Sequence, residues 1–435
     1  MLQPIKQKLT LGNAMKRIIF IILLLVTTSL FAKEMQHKVI VSYWSDGTHY
    51  RNYSIPGSIN DQGKIQINRD LSGKINNINV LAYAFLQVDK QGNVYFQHPD
   101  VDLSKKDING FCKTNFLSCQ NSNKSNLLGN FNAFSKLNNN NHDLKKIISI
   151  GGAGSDITLN NALDHPENFI NSIDVILKHY HLNGVDLDFE PSNVFTKDQA
   201  NKYSFLVKNL RNKLGKNDYI SIEVPGDNET LNSIGKENLD IISQNSYISL
   251  MGYEFHSAFY APYVTGNNAN LYSDPNEPNI KSFYHISDDQ SIKHLTYLGV
   301  SSDKIILGFP AYFHAYGGVE NKNNGLYQKF HPSLTPLFEG RKSVGADRLL
   351  QHILDKGFRA HEILMNHDVS AVYAYNPKTK IWLSYDDINS VAEKSAYVKT
   401  KNLAGMMMWN IKQDYPANDK NSLLHVVNTC LDERD

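Results

Sequence analysis

The stretch Asn183-Gly184-Val185-Asp186-Leu187-Asp188-Phe189-Glu190 alternates acidic and apolar residues with a period of two. On a β-strand successive side chains point to opposite faces, so the three carboxyls share one face, about 6.6 Å apart at each step. Val185, Leu187 and Phe189 then point the other way, where a covering layer would bury them. As a strand of a closed barrel, the segment aims Asp186, Asp188 and Glu190 inward and sets Glu190 at the carboxyl end, where barrel active sites lie. Three like charges in a low-dielectric interior cannot all ionise cheaply, so at least one should hold a proton near neutral pH. A raised carboxyl pKa suits a general acid. An exposed edge strand would show the same alternation, but the apolar flanks argue burial. A Mg²⁺ or Ca²⁺ site could use the same oxygens; no additional acidic cluster at ligand spacing supports it.

Working outward, seven more short apolar runs are rich in β-formers: Lys38–Tyr43, Ile78–Phe85, Lys146–Ile150, Tyr219–Val224, Tyr247–Gly252, Lys304–Phe309 and Leu403–Met408. Most are apolar on both faces, as parallel strands covered by helices should be. Helix-like stretches such as Asn168–His179, Lys197–Leu214 and Gln290–Leu298 lie between them. Eight such units predict an α/β fold, a (β/α)8 TIM barrel. The gap from Phe309 to Leu403 is too long for a simple connection and contains strand-like pieces at Ala371–Tyr375 and Ile381–Tyr385. A small α+β insertion domain over 313–395, between strands 7 and 8, accounts for it, leaving 33–312 and 396–435 to the barrel. The Asn-rich stretch Asn121–Asn141 reads as a decorated surface loop.

The 435 residues exceed the roughly 250–300 at which single cores stop growing, and 41% of them are hydrophobic. A formal net charge of +1 offers no basic excess for phosphates, so no nucleic-acid partner is expected. An aromatic content of 11% argues against disorder. Lys16-Arg17, the nine-residue apolar run Ile18–Val26 and the small residues up to Ala32 describe a signal peptide over 1–32. The run is too short to span a bilayer of about 30 Å, so no membrane association is expected after cleavage. Residues 1–14 add nothing a leader needs, and Met15 is an alternative start. Loss of Lys6, Lys8, Lys16 and Arg17 would turn the net charge from +1 to −3. The chain is therefore expected to be secreted, extracellular or periplasmic in transit. Cys112 and Cys119 could close a surface loop as a disulfide in such a compartment, and Cys430 stands alone.

The acidic stretch resembles the D-G-x-D-x-D-x-E signature of the family 18 glycoside hydrolases, the chitinases and their relatives. Further matches follow in the family's order. Tyr83-Ala84-Phe85 fits the second strand and Ser149-Ile150-Gly151-Gly152 resembles S-x-G-G on the third. Met251-Gly252-Tyr253-Glu254 resembles M-x-Y-D on the sixth, and Leu307-Gly308-Phe309-Pro310-Ala311-Tyr312 resembles L-G-x-P-x-Y on the seventh. Gly405-Met406-Met407-Met408-Trp409, with Asp414 following, resembles G-x-M-x-W on the eighth. The inserted segment, with Trp382-Leu383-Ser384-Tyr385-Asp386-Asp387, Ser390 and Lys394, is similar to the chitinase insertion domain that walls one side of the family's substrate cleft.

This resemblance implies a secreted retaining chitinase that hydrolyses β-1,4-linked N-acetylglucosamine, with the substrate's acetamido oxygen as nucleophile, an exception to the two-carboxylate scheme. Glu190 would be the acid and then the base. Asp188 would orient the acetamido group, Asp186 would share a proton with Asp188, and Tyr253 would bond the acetamido oxygen. Trp409 would floor the sugar site, while Met251, Glu254, Tyr43, Phe85 and Gly152 would line or support it, and Trp44 could add stacking surface. No metal and no organic cofactor are implied, and a monomer acting on chitin or N-acetylglucosamine oligosaccharides is expected. An endo-β-N-acetylglucosaminidase on N-glycans or peptidoglycan keeps the fold but changes the substrate, and a catalytically silent chitin-binding lectin is a third reading. Four departures stand out. Asn183 replaces the family's first Asp, Glu254 its Asp after the tyrosine, and Phe313-His314 its common Gly-Arg. Glu223 occupies a position often small and apolar, where it is either a fourth buried carboxylate or a surface residue.

Overall fold

The computed structural model describes residues 38–45, 71, 73–97, 99–103, 129–138, 143–257, 263–278, 286–335, 343–345, 363–366 and 368–431. The leader 1–32, Cys112, Cys119 and most of the Asn-rich stretch lie outside these residues. Cys430 is a half-buried free thiol.

The chain lays down β1 (Val39–Ser45) and β2 (Val80–Val88), the latter with a short antiparallel partner, β3 (Val94–Phe96). It continues through β4 (Lys145–Ala153), β5 (Gly184–Glu190), β6 (Tyr219–Pro225), β7 (Tyr247–Met251) and β8 (Ile305–Pro310), each parallel to its neighbour. A five-stranded antiparallel sheet then interrupts the barrel: β9 (Tyr312–Gly317), β10 (Ser343–Gly345), β11 (Ile363–Asn366), β12 (Ala371–Asn376) and β13 (Ile381–Tyr385), ordered β10-β9-β13-β12-β11. β14 (Gly405–Trp409) pairs with both β8 and β1, and β1 pairs with β2, which closes an eight-stranded parallel barrel. The expected (β/α)8 TIM barrel is the fold, and each expected run forms one of its strands.

Strand alternation sorts the barrel into two apolar layers. Val41, Val80, Ala82, Ile147, Ile306 and Met407 fill the inside. Val185, Leu187 and Phe189 point outward onto the helices, where Phe189 meets Phe169 and Tyr203 edge to edge or tilted. The helix after β5, Lys197–Leu214, starts at a capping box in which Thr196 Oγ1 accepts from the Gln199 N–H and Gln199 Oε1 accepts from the Thr196 N–H.

The inserted sheet has its own apolar faces, Phe313, Ala315, Val372, Ala374 and Leu383 on one and Tyr316, Tyr373, Tyr375 and Trp382 on the other. The helix that follows, Ile388–Thr400, straddles the expected limit at 395 and places Val391, Tyr397 and Val398 in the barrel's outer core. It also carries Lys394, whose buried Nζ lies 2.6 Å from Asp386 Oδ2 at the exit of the sheet and 3.7 Å from Asp288 Oδ2. This charge cluster links the inserted sheet's exit to the helix Asp288–Tyr297.

Candidate active site

β5 carries its carboxyls into the barrel as the alternation requires. Asp186 is fully buried and is held by three hydroxyls. Ser221 Oγ donates to Oδ1 at 2.6 Å, Ser149 Oγ donates to Oδ2 at 2.7 Å, and the Tyr43 hydroxyl lies 3.0 Å from Oδ2. Ser149 and Ser221 are the register partners of Asp186 on the two flanking strands. Burial pushes the Asp186 carboxyl up to about 6 although these hydroxyls oppose the shift.

Asp188, one step nearer the carboxyl end, is 5% exposed, and its Oδ1 has no hydrogen-bond partner. Burial, then the charges of Glu190, Asp186 and Glu223, hold it well above the usual carboxylate range. Asp186 is therefore bonded to hydroxyls, and the expected proton shared directly between Asp186 and Asp188 is not among its hydrogen bonds here. Asp188 is left with an open oxygen.

Glu190 ends the strand half-buried. Its N–H donates to Ser155 Oγ at 2.7 Å, and its carbonyl accepts from the N–H groups of Gly154 and Ser155, so the β4 and β5 ends are stitched together around it. Burial first, and the Glu254 charge second, push its carboxyl up to about 7. A group titrating there carries a proton half the time at neutral pH, which suits both donation and later removal of one.

Glu254 has left-handed backbone (φ 63°), and 43% of its side chain is exposed. Its N–H donates to Asn268 Oδ1 at 3.0 Å. Its Oε1 accepts from the Tyr312 hydroxyl at 2.6 Å and lies 2.7 Å from His314 Nε2. Burial among the site atoms raises its carboxyl, but the His314 ring and the hydrogen bonds from His314, Tyr312 and Ser257 outweigh that and hold it below its ordinary value. Two of the sequence departures thus answer one another: the longer Glu254 meets His314 on the inserted sheet.

Tyr253 is half-buried, with its hydroxyl 3.9 Å from Met407 Sδ and its ring edge-on to Tyr312 at 6.2 Å. Trp409 stacks on Phe85 with centroids 5.5 Å apart and planes 15° apart, and it meets Tyr43 at 5.3 Å. Met251 is half-buried in the same inner cluster. The peptide bonds Ala84–Phe85 and Trp409–Asn410 are cis. Gly152, at φ 93°, leaves room for that Phe85 ring, since a Cβ there would lie 2.9 Å from Cε2.

Two expectations change, and one departure finds its place. Tyr43 is buried and serves the carboxyls through its hydroxyl, so it offers no stacking face. Trp44, one residue on, points outward by alternation and packs against Tyr83 in the helix layer. Asn183 sits exposed at the amino end of β5, where its Oδ1 accepts from the Lys146 N–H at 2.9 Å, remote in sequence from the carboxyl end of the strand. The contact is one that an Asp could make as well, so nothing in it explains the replacement of Asp. The sequence motif carried Ser149 without a role and left out Ser221, although both hydroxyls bond Asp186. Inward-facing serines on the flanking strands were the available signal. Among the described residues, no group of three or more His, Cys, Asp or Glu is placed to hold a metal ion.

The sequence profile of "Glycosyl hydrolases family 18" matches residues 39–414. Chitinase A1 of Niallia circulans is 30% identical over 321 residues, which cover 66% of this chain and 43% of that protein. The chain therefore spans less than half the length of that curated relative. Endochitinase 1 of Metarhizium robertsii is 26% identical over 353 residues, covering 78% of this chain and 76% of that one. The class V chitinase of Nicotiana tobaccum, solved in complex with NAG4, shares the fold at a TM-score of 0.65 and 18% identity, covering 91% of this chain and 99% of that one. With the profile spanning the barrel and the inserted sheet alike, the chain belongs to the glycosyl hydrolases family 18.

Proposed function

We propose that this chain is an exported chitinase that hydrolyses β-1,4-linked N-acetylglucosamine in chitin or its oligosaccharides with retention. The carrying observation is the buried Asp188 with an unpartnered Oδ1, set two residues before a Glu190 that titrates near 7. An acceptor kept dry and unbonded inside a barrel fits a substrate N–H, and an acetamido group supplies one.

Glu190 gives its proton to the glycosidic oxygen as the C1–O bond breaks. The acetamido carbonyl oxygen closes on C1, and Asp188, accepting the acetamido N–H, holds that group in line and faces the positive oxazolinium ring. Tyr253 donates its hydroxyl to the acetamido oxygen. Glu190, now ionised, takes a proton from water as the water oxygen attacks C1, which reopens the ring and leaves the β-anomer. Trp409, backed by Phe85, offers an apolar floor to the sugar C–H face. The signal-like segment Lys16–Ala32 supports export.

The test is proton NMR of the first products from N-acetylglucosamine hexamer, with Glu190→Gln run in parallel. Fresh β-anomer from the wild type, falling at least about 10²-fold in the variant, is expected. Fresh α-anomer, or equal rates from both proteins, would reject the assignment. No product from either would redirect the search to N-glycans, to peptidoglycan fragments and to binding without hydrolysis.

A further inference from the structure

Glu223 lies on β6 inside the barrel, 5% exposed, and the hydrolytic scheme makes no use of it. Leu187 and Ile222 are register partners, so Glu223 comes one residue later on β6, alongside Asp188 on β5. Its Oε1 is 2.7 Å from the Tyr43 hydroxyl, which is also 3.0 Å from Asp186 Oδ2. Its Oε2 has no hydrogen-bond partner.

A phenol has one proton and cannot donate it to two carboxylates at once. If both contacts are hydrogen bonds, one of the two carboxyls brings a proton of its own. Asp186 already accepts from Ser149 and Ser221, and accepted hydrogen bonds favour its ionised form. Besides Tyr43, Glu223 has one hydroxyl beside it, Ser249 on β7, against two for Asp186, and its second oxygen is dry. The chain of bonds then runs from Glu223 Oε1–H to the Tyr43 oxygen, and from the Tyr43 O–H to Asp186 Oδ2, with the Asp186 carboxyl itself also within reach of the Glu223 proton.

We propose that Glu223 is a positioning residue of the hydrolysis, which holds a proton inside the barrel and so turns the Tyr43 hydroxyl onto Asp186. Ionisation of Glu223 would draw that hydroxyl back to itself and strip Asp186 of one of its three donors. The groups that face Glu223 inside the barrel are Tyr43 on β1, Asp186, Asp188 and Glu190 on β5, Tyr219 on β6, Ser249 on β7 and Tyr253 just beyond it, while Tyr203 on the helix Lys197–Leu214 feels its charge from the outer layer. Burial, then the Asp186 charge, raises the Glu223 carboxyl well above its ordinary value, in keeping with a held proton.

The inference rests on the hydrolytic reading of the site, and its test separates the two. Infrared difference spectra of the unliganded wild type and Glu223→Gln at pH 7 count buried protonated carboxyls through their C=O stretch, with no substrate needed. The variant should lose one such band. In kcat/KM profiles on the hexamer, the wild type should lose activity at high pH over two ionisations, those of Glu190 and Glu223, and Glu223→Gln over one, so the variant's alkaline limb should be shallower. Tyr43→Phe should move the acid limb to higher pH, because Asp186 loses a donor to its ionised form. Should Glu223→Gln fail to fold, Glu223→Asp carries the infrared test, where the band should shift rather than stay in place. An unchanged infrared count, or profiles that superimpose on the wild type, would overturn the role of Glu223. A wild type that shows the lost band yet leaves the hexamer intact would sink the hydrolytic reading, and with it the role in hydrolysis, while leaving the held proton standing.

Discussion

Glu254→Gln should move the alkaline limb of the activity profile toward acid. In the native protein Glu190 titrates at about 7, raised from 4.5 by burial and then by the Glu254 charge. The substitution removes that charge but keeps an oxygen that can accept from the Tyr312 hydroxyl, so the local frame should persist. A neighbouring carboxylate of this kind is worth about one pKa unit, or about 1.4 kcal/mol. The sign is fixed by the chemistry. Glu190 must be protonated to act as acid, loss of a negative neighbour makes it more acidic, and the limb falls from about 7 toward about 6. At pH 7 the protonated fraction then drops from about a half to about a tenth, so kcat/KM should fall about fivefold from this cause. At pH 5 both forms are protonated and the same cause changes little. The assay is initial rates on N-acetylglucosamine hexamer from pH 4 to pH 9 at constant ionic strength. A limb that stays in place, or moves toward alkali, would refute the coupling of Glu254 to Glu190.

Two stability predictions follow from other parts of the structure. Gly151 sits at φ 122°, and a Cβ there would fall 2.1 Å from the Asp188 carbonyl oxygen, so Gly151→Ala should cost at least about 2 kcal/mol and displace Asp188; an unshifted urea midpoint would contradict this. Lys394→Met strands Asp386 and Asp288 without their cation and should cost about 3–5 kcal/mol at pH 8. Burial holds the Asp288 carboxyl at about 8, so it is protonated at lower pH, and Asp386 is raised as well. The penalty should therefore shrink as pH falls toward 4, and a penalty independent of pH would show that the cluster is not held by charge.

Asp186, Asp188 and Glu190 were legible as one face of a strand because a period of two is a local property of the backbone. The eight strand runs and their order were legible for the same reason: burial on both faces writes apolar residues into contiguous sequence. The inserted sheet announced itself by length, since no short connection needs so many residues between β8 and β14. What arrives opposite a given side chain is another matter. Ser149, Ser221 and Tyr43 come from β4, β6 and β1, and they converge on Asp186 only because barrel closure sets the register between strands. Tyr43 and Trp44 are neighbours in sequence, yet one enters the carboxyl network and the other the helix layer, according to which face of β1 turns inward. Glu254 and His314 are 60 residues apart and meet because the inserted sheet begins right after β8. Glu223 could be exposed or buried until β6 took its place beside β5. The sequence by itself determined which groups share a strand face, because that depends on backbone geometry alone. Only the tertiary structure decided which groups share a proton, because that depends on distances between strands that the chain brings together from far apart.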